Sequence, residues 1–228
     1  MNEPPRRLMK TTAIVCDLDG TLIDSHLGIK AAIRCACDEV LPRQVLADLD
    51  VVIGPPIRQM LRQALPTVDD PVIESLALAY RRHYDSTGCL SYVPYPGVKE
   101  TLALLAARGV SLFVLTNKPV IPTQRILTDM GVDQLFRGVT CIDSRQPPFK
   151  SKNETGIHLK ANYGLNAGST FLVGDSADDW EVATACGFRF VAATYGYGKN
   201  WNLTGSDYNT IGIFAELLAV AEMKGNAQ

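Results

Sequence analysis

The chain has 228 residues, of which 46% are apolar and 20% charged, with a formal net charge of −2. That is ordinary globular composition, enough for one large domain or two small ones. The near-neutral balance leaves no basic footprint for nucleic acid, and apolar stretches such as Ala215 to Ala221 are too short to span a membrane. The six cysteines, Cys16, Cys35, Cys37, Cys89, Cys141 and Cys186, form no CxxC pair and no cluster with histidine. They read as reduced thiols, mostly buried. No apolar leader follows Arg6 and Arg7, so a cytoplasmic protein is expected, with residues 1–10 a loose arm.

Taken in order, Ala13-Ile14-Val15-Cys16 is a short apolar run that reads as a buried strand. It runs into Asp17-Leu18-Asp19-Gly20-Thr21. Acids are poor strand and core residues, so a pair of them here needs a reason. An extended backbone would put both side chains on one side, roughly 7 Å apart. Carboxylates that close repel, and they call for a cation or a shared proton. A hard divalent ion such as Mg2+, which takes oxygen ligands and often a substrate phosphate, suits them.

Ile23-Asp24-Ser25 reads as a polar break. Leu27, Ile29, Ala31, Ala32, Ile33, Ala36 and Val40 then recur at helical spacing, and Pro42 ends that helix. A weaker helical piece covers Val45 to Val52. Gly54-Pro55-Pro56 opens a third helix with Ile57, Met60, Leu61 and Leu65 on its apolar face, stopped by Pro66. Pro71 opens a fourth, through Ile73, Leu76, Ala77 and Tyr80 to about Ser86. Residues 25–90 thus hold no strand-like run.

Tyr92-Val93-Pro94-Tyr95-Pro96-Gly97 reads as a Pro-rich hinge. Beyond it, helix and strand alternate: a helix over Val98 to Ala107, a strand over Ser111 to Leu115, a helix over Ile121 to Met130, and a strand over Gly138 to Ile142. A helix over Lys152 to Tyr163 and a strand over Thr170 to Val173 follow. Then come a helix over Ala177 to Ala185, a strand over Phe188 to Ala192 and a last helix over Ile213 to Glu222. Continuous apolar strands between helices predict a parallel sheet covered on both faces. The strand near Val15 must join that sheet. The expected fold class is α/β: a Rossmann-like core of residues 1–24 plus 96–228, with an all-helical cap, 25–95, inserted after the first strand. Three strand ends carry polar residues: Asp17 and Asp19, Thr116 and Asn117, and Asp175. Ligands in such folds bind beyond the carboxyl ends of the strands, so these residues would meet at one edge.

Four separated pieces resemble one known pattern. Asp17-Leu18-Asp19-Gly20-Thr21 resembles the DxDGT motif of the haloacid dehalogenase superfamily, and Leu115-Thr116-Asn117 its second motif. Lys152 resembles the third, and Gly174-Asp175-Ser176-Ala177-Asp178-Asp179 the fourth, GDxxxD. The helical insertion, with Ile53-Gly54-Pro55-Pro56, Tyr95-Pro96-Gly97 and Thr116-Asn117-Lys118-Pro119, is similar to the phosphoglycolate phosphatase-like group.

The resemblance implies a Mg2+-dependent phosphatase that acts through an aspartyl-phosphate on a small phosphorylated metabolite, 2-phosphoglycolate first. Nucleoside monophosphates, other sugar or acid phosphates and pyrophosphate are the alternatives, with phosphomutase chemistry behind them. Asp17 would be the nucleophile. Asp19 would be the general acid and then base, with its backbone carbonyl on the metal. Thr116 and Asn117, helped by N–H groups at the next helix start, would hold the phosphoryl oxygens. Lys152 would supply fixed positive charge, although Lys150-Ser151-Lys152-Asn153 lacks the group's Lys-Pro pairing and Lys150 is the competing choice. Asp175 would be the third metal ligand. Asp179, four residues on, would orient it or hold a metal-bound water, while Asp178 faces away. Core residues treat any phosphomonoester alike, so specificity falls to the cap. Arg58 is its candidate for a carboxylate or second anion, against the plainer reading of an exposed helix arginine. Lys118 falls where core and cap would meet. The segments near Ile23–Ser25 and Val93–Gly97 are the expected hinges. No nucleic-acid or membrane partner is expected, and the chain would be a monomer or homodimer.

Overall fold

A computed structural model of the chain describes residues 12–41, 53–198 and 208–222. The arm expected over 1–10 and the helical piece expected over Val45 to Val52 lie outside the described residues.

Among the described residues six strands form one sheet: β1 (Ala13–Cys16), β4 (Ser111–Thr116), β5 (Phe136–Cys141), β6 (Thr170–Gly174), β7 (Arg189–Ala193) and β8 (Asn209–Ile211). Their order is β5-β4-β1-β6-β7-β8, and every pairing is parallel. Central β1 is wholly buried. The period of two sends alternate side chains to opposite layers. Ile14, Cys16, Leu112, Val114, Phe171 and Val173 meet apolar residues of α4 (Val98–Ala107), α5 (Val120–Met130) and α8 (Leu217–Glu222). Ala13, Val15, Phe113, Leu115 and Leu172 meet those of α6 (Lys152–Tyr163) and α7 (Ala177–Cys186). Both faces are covered, so continuous apolar strands are what the arrangement demands.

Among the described residues, three α-helices stand between β1 and the rest of the sheet: α1 (His26–Val40), α2 (Ile57–Ala64) and α3 (Asp70–Ser86). The buried face of α1 is Ile29, Ala32, Ile33, Ala36 and Cys37, at i, i+3, i+4, i+7 and i+8. It lies against Ile73, Leu76, Ala77 and Tyr80 of α3. Leu27, expected on the same stripe, is 73% exposed. It falls off the stripe by one position.

Two expectations change. The polar break and the Pro-rich hinge contain short strands, β2 (Ile23–Asp24) and β3 (Val93–Pro94), paired antiparallel to each other. Two residues each are too few for a periodic signal, and the pairing joins segments about seventy positions apart in the chain. The sixth strand, β8, was also not legible: its three residues Asn209-Thr210-Ile211 become a strand by pairing with β7. The last helix begins as a 3-10 turn over Phe214–Glu216.

Candidate active site

Central β1 has β4 on one side and β6 on the other, so the three strands with polar ends are adjacent. Their carboxyl ends floor a cavity of about 390 Å³ whose walls include Pro56, Arg58, Met60, Tyr80 and Tyr84 from the helical insertion. Small-molecule sites span about 300–1,000 Å³.

Asp17 follows directly on β1 and is almost fully buried. Its Oδ1 accepts from Lys152 Nζ at 2.5 Å. No described residue hydrogen-bonds its Oδ2. Lys152 is the first residue of α6, where Ser151 caps the helix through the Glu154 N–H. The local turn therefore aims the lysine inward, while Lys150, two residues earlier, is exposed. Of the two candidate lysines, it is Lys152 that the fold brings to Asp17.

Asp175 lies just beyond β6. Thr21 Oγ1 donates to its Oδ1 at 3.2 Å and the Tyr197 N–H to its Oδ2 at 2.6 Å. Gly20 has φ +88°, and a Cβ there would come within 2.3 Å of Asp175 Oδ2. Glycine at that position supplies both the turn and the room. Asp179 closes a capping box with Ser176: its Oδ2 accepts from the Ser176 N–H at 3.0 Å and from Oγ at 2.5 Å. Asp179 Oδ1 lies 2.6 Å from Lys152 Nζ, an ion pair rather than a directed hydrogen bond. The i, i+4 argument for pairing Asp175 with Asp179 does not hold, because Asp175 precedes the helix cap. What brings them together is the box, together with Gly174, where a Cβ would strike Asp179 Cγ at 2.2 Å.

Asp17, Asp175 and Asp179 each place a carboxylate oxygen within 4.8 Å of the others. Burial raises the pKa of Asp17 well above the usual carboxylate range, Lys152 opposes that, and Asp179 and Asp175 add to it. Burial, then Asp179, pushes Asp175 up to about 6. Burial also works against the charge on Lys152, but Asp17 and Asp179 outweigh it and hold its pKa above the ordinary lysine value. Three ionised carboxylates and one ammonium leave two negative charges uncompensated, the charge of one divalent cation. An all-oxygen donor set suits a hard ion of the Mg2+ type.

Asp19 does not join this group through its carboxylate. The chain bends at Leu18 instead of staying extended. Asp19 Oδ1 accepts from Ser25 Oγ at 2.5 Å, and its Oδ2 lies 3.1 Å from Lys118 Nζ. The two acids that open the motif thus point in different directions, one facing Lys152 and the other Lys118. Thr116 is buried at the end of β4, and its Oγ1 accepts from the Lys118 N–H at 3.1 Å while lining the cavity. Asn117 also lines it, with Nδ2 3.5 Å from Asp178 Oδ2, at the outer limit of a hydrogen bond. The first N–H of α5 does not face the site as expected: Asp143 Oδ1 accepts it from Val120 at 2.8 Å. Arg58 reaches the cavity wall, but its Nε lies 2.6 and 2.9 Å from the Glu74 carboxylate oxygens.

Sequence reasoning missed Thr21, Ser25 and Tyr197, and left Lys118 without a role. Thr21 stood inside the DxDGT stretch and was the findable one. Tyr197 and Ser25, about 170 positions apart, meet through a 2.7 Å bond from the Ser25 N–H to the Tyr197 hydroxyl. No local pattern announces that contact.

The sequence pattern that defines the haloacid dehalogenase-like hydrolases matches residues 14–193. The chain belongs to the haloacid dehalogenase-like hydrolases. It is 31% identical to a phosphoglycolate phosphatase of Pasteurella multocida, over 90% of this chain and 96% of that protein. A crystal structure described as a predicted phosphoglycolate phosphatase from Haemophilus somnus superposes with TM-score 0.77 at 28% identity, covering 95% of this chain and all of that one. A structure named Protein Tyrosine Kinase A from Mycobacterium tuberculosis matches with TM-score 0.75, also at 28% identity, over 94% and 99% of the two chains. The fold alone therefore does not settle which acceptor takes a phosphoryl group. Among the described residues no helix is long and apolar enough to cross a membrane.

Proposed function

We propose that this hydrolase is a Mg2+-dependent phosphatase acting on a small phosphomonoester, with 2-phosphoglycolate the favoured substrate. The observation that carries the reading is Asp17: buried at the cavity floor, held at one oxygen by Lys152, with no described residue hydrogen-bonded to the other. An oriented carboxylate with one unengaged oxygen is a nucleophile placed for in-line attack. The similarity to phosphoglycolate phosphatases over most of the chain supports the substrate class.

In this mechanism Asp17 Oδ2 attacks phosphorus, and the bond from phosphorus to the ester oxygen breaks. Asp19 protonates the departing alkoxide. The same residue, now a carboxylate, takes a proton from water as that water attacks the aspartyl-phosphate, and the bond to Asp17 breaks to release phosphate. Lys152 and the Thr116 hydroxyl face the charge on the transferring oxygens, with the Asn117 N–H beside them, where positioning and electrostatics do most of the catalysis. Asp17, Asp175 and the Asp19 carbonyl would hold Mg2+, with Asp179 behind them; when bound, the ion neutralises phosphoryl charge. Residues 25–95 form the cap, moving on the β2–β3 pair and excluding water when closed. Arg58 would have to leave Glu74 to meet a substrate carboxylate. The protein would be monomeric or homodimeric, with no nucleic-acid or membrane partner.

Incubation with p-nitrophenyl phosphate should release nitrophenol with Mg2+ and not with EDTA. A panel of phosphorylated metabolites, including a nucleoside monophosphate, hexose 1-phosphate and pyrophosphate, should then give the highest kcat/KM for 2-phosphoglycolate. Release of nitrophenol that ignores the metal would sink the mechanism. Hexose 6-phosphate as the product from hexose 1-phosphate would favour a mutase.

A further inference from the structure

Lys118 is a buried lysine that the mechanism above leaves unused. Its side chain is only 4% exposed. The backbone is fixed to the site, because the Lys118 N–H donates to Thr116 Oγ1 at 3.1 Å. Among the described residues its ammonium has two polar partners, one from the core and one from the helical insertion. One is Asp19 Oδ2 at 3.1 Å, in the turn that follows β1. The other is the Tyr84 hydroxyl at 2.6 Å, on α3 of the helical insertion. Tyr84 is itself buried and stacked on Tyr80, with ring centroids 5.2 Å apart and planes 12° apart. Arg125 of α5 reaches the same end of α3, donating to the carbonyls of Asp85 and Ser86. The C-terminal end of α3 is therefore seated on the core at two cations. One of them also touches the group that moves the proton.

We infer that Lys118 is a positioning residue for Asp19, with Tyr84 of the helical insertion completing the alignment, so that proton transfer depends on the insertion being seated. The inference rests on the phosphatase reading and deepens it. A carboxylate at a strand end has two free side-chain torsions, and Ser25 engages only one of its oxygens. The ammonium engages the other. Removing it leaves the carboxyl free to rotate, while Asp17, Lys152 and Asp175, none of which touches Lys118, keep their own partners. Removing the Tyr84 hydroxyl leaves the ammonium without its second anchor. A misplacement of about 1 Å is costly where a proton must pass in the transition state.

Leaving-group dependence separates positioning of the acid from general damage. Nitrophenolate leaves without help, whereas the more basic phenolate needs a proton. In Lys118→Met, kcat/KM for phenyl phosphate should fall about tenfold or more, and that for p-nitrophenyl phosphate by less than about threefold. Tyr84→Phe should move the ratio the same way by about threefold. Should Lys118→Met fail to fold, Tyr84→Phe alone decides. Equal losses on both esters, or no loss on either, overturn the inference while Mg2+-dependent turnover by the wild type keeps the phosphatase reading. A wild type inactive on both esters removes the reading and the inference together.

Discussion

The sheet edge and the helical insertion face each other across one cavity and treat charge in opposite ways. At the sheet edge, Asp17, Asp175, Asp179 and Lys152 are buried, and each is gripped by other groups of the site. On the insertion, Arg58 with Glu74, Arg62 with Asp70 and Arg82 with Glu39 are paired in half-exposed positions. Solvent screens such pairs and makes them weak and exchangeable. Buried charges have no water to fall back on, so the loss of one partner is felt in full. The contrast supports the proposal of fixed chemistry at the edge and adjustable recognition on the insertion.

The sharpest way to break that contrast is at the edge. Asp17→Asn should lower kcat by about four orders of magnitude or more while the far-ultraviolet spectrum and cooperative unfolding persist. Residual turnover near the wild-type rate would take the nucleophile role from Asp17. Lys152→Ala should cost about 10²–10³ in kcat. It strands Asp17 and Asp179 as buried acids, so in urea without Mg2+ it should also lose about 3–5 kcal/mol of stability. A normal urea midpoint would show that the acids relax without their cation.

Metal and pH probe the same charges more gently. Burial raises the pKa of Asp175 to about 6, so the metal-free folded state binds its proton more tightly than the unfolded chain does. Stability attributable to this group is therefore present at low pH and lost as pH rises from about 4 to about 6. Mg2+ needs the ionised form. Its stabilising shift in unfolding temperature, of a few degrees, should be larger at about pH 7 than at about pH 5. Calorimetry with Mg2+ and with EDTA measures it, and a shift independent of pH would detach the ion from these acids. The smallest effect belongs to the insertion. Arg58→Ala should leave the unfolding temperature unchanged and raise KM for 2-phosphoglycolate by about threefold to tenfold with kcat nearly constant. An unaltered KM would leave Arg58 as a partner of Glu74 only.

How far these features could be read without a structure depended on the range of the interactions behind them. Strands β4 and β6 and helix α6 were legible, because apolar runs and glycine stops are local. Asp17, Thr116 and Asp175 were legible as residues, since each sits where such a run ends, and Lys152 was legible through its resemblance to the third motif at a helix start. The direction of Asp19 was not, because it depends on a bend at Leu18 and on Lys118, about a hundred positions away. Tyr197 at Asp175 and the β2–β3 pair were hidden for the same reason.

By itself the sequence determined an α/β core with a helical insertion, and it placed the acids and the hydroxyl at strand ends and a lysine at a helix start. Periodicity and turn chemistry act over a few residues and need no partner to be visible. Only the tertiary structure decided which lysine meets which acid. It gave Lys152 to Asp17 and Asp179, and Lys118 to Asp19 and Tyr84, because a buried ammonium takes the carboxylate that packing leaves within reach, and packing is settled by the whole sheet at once.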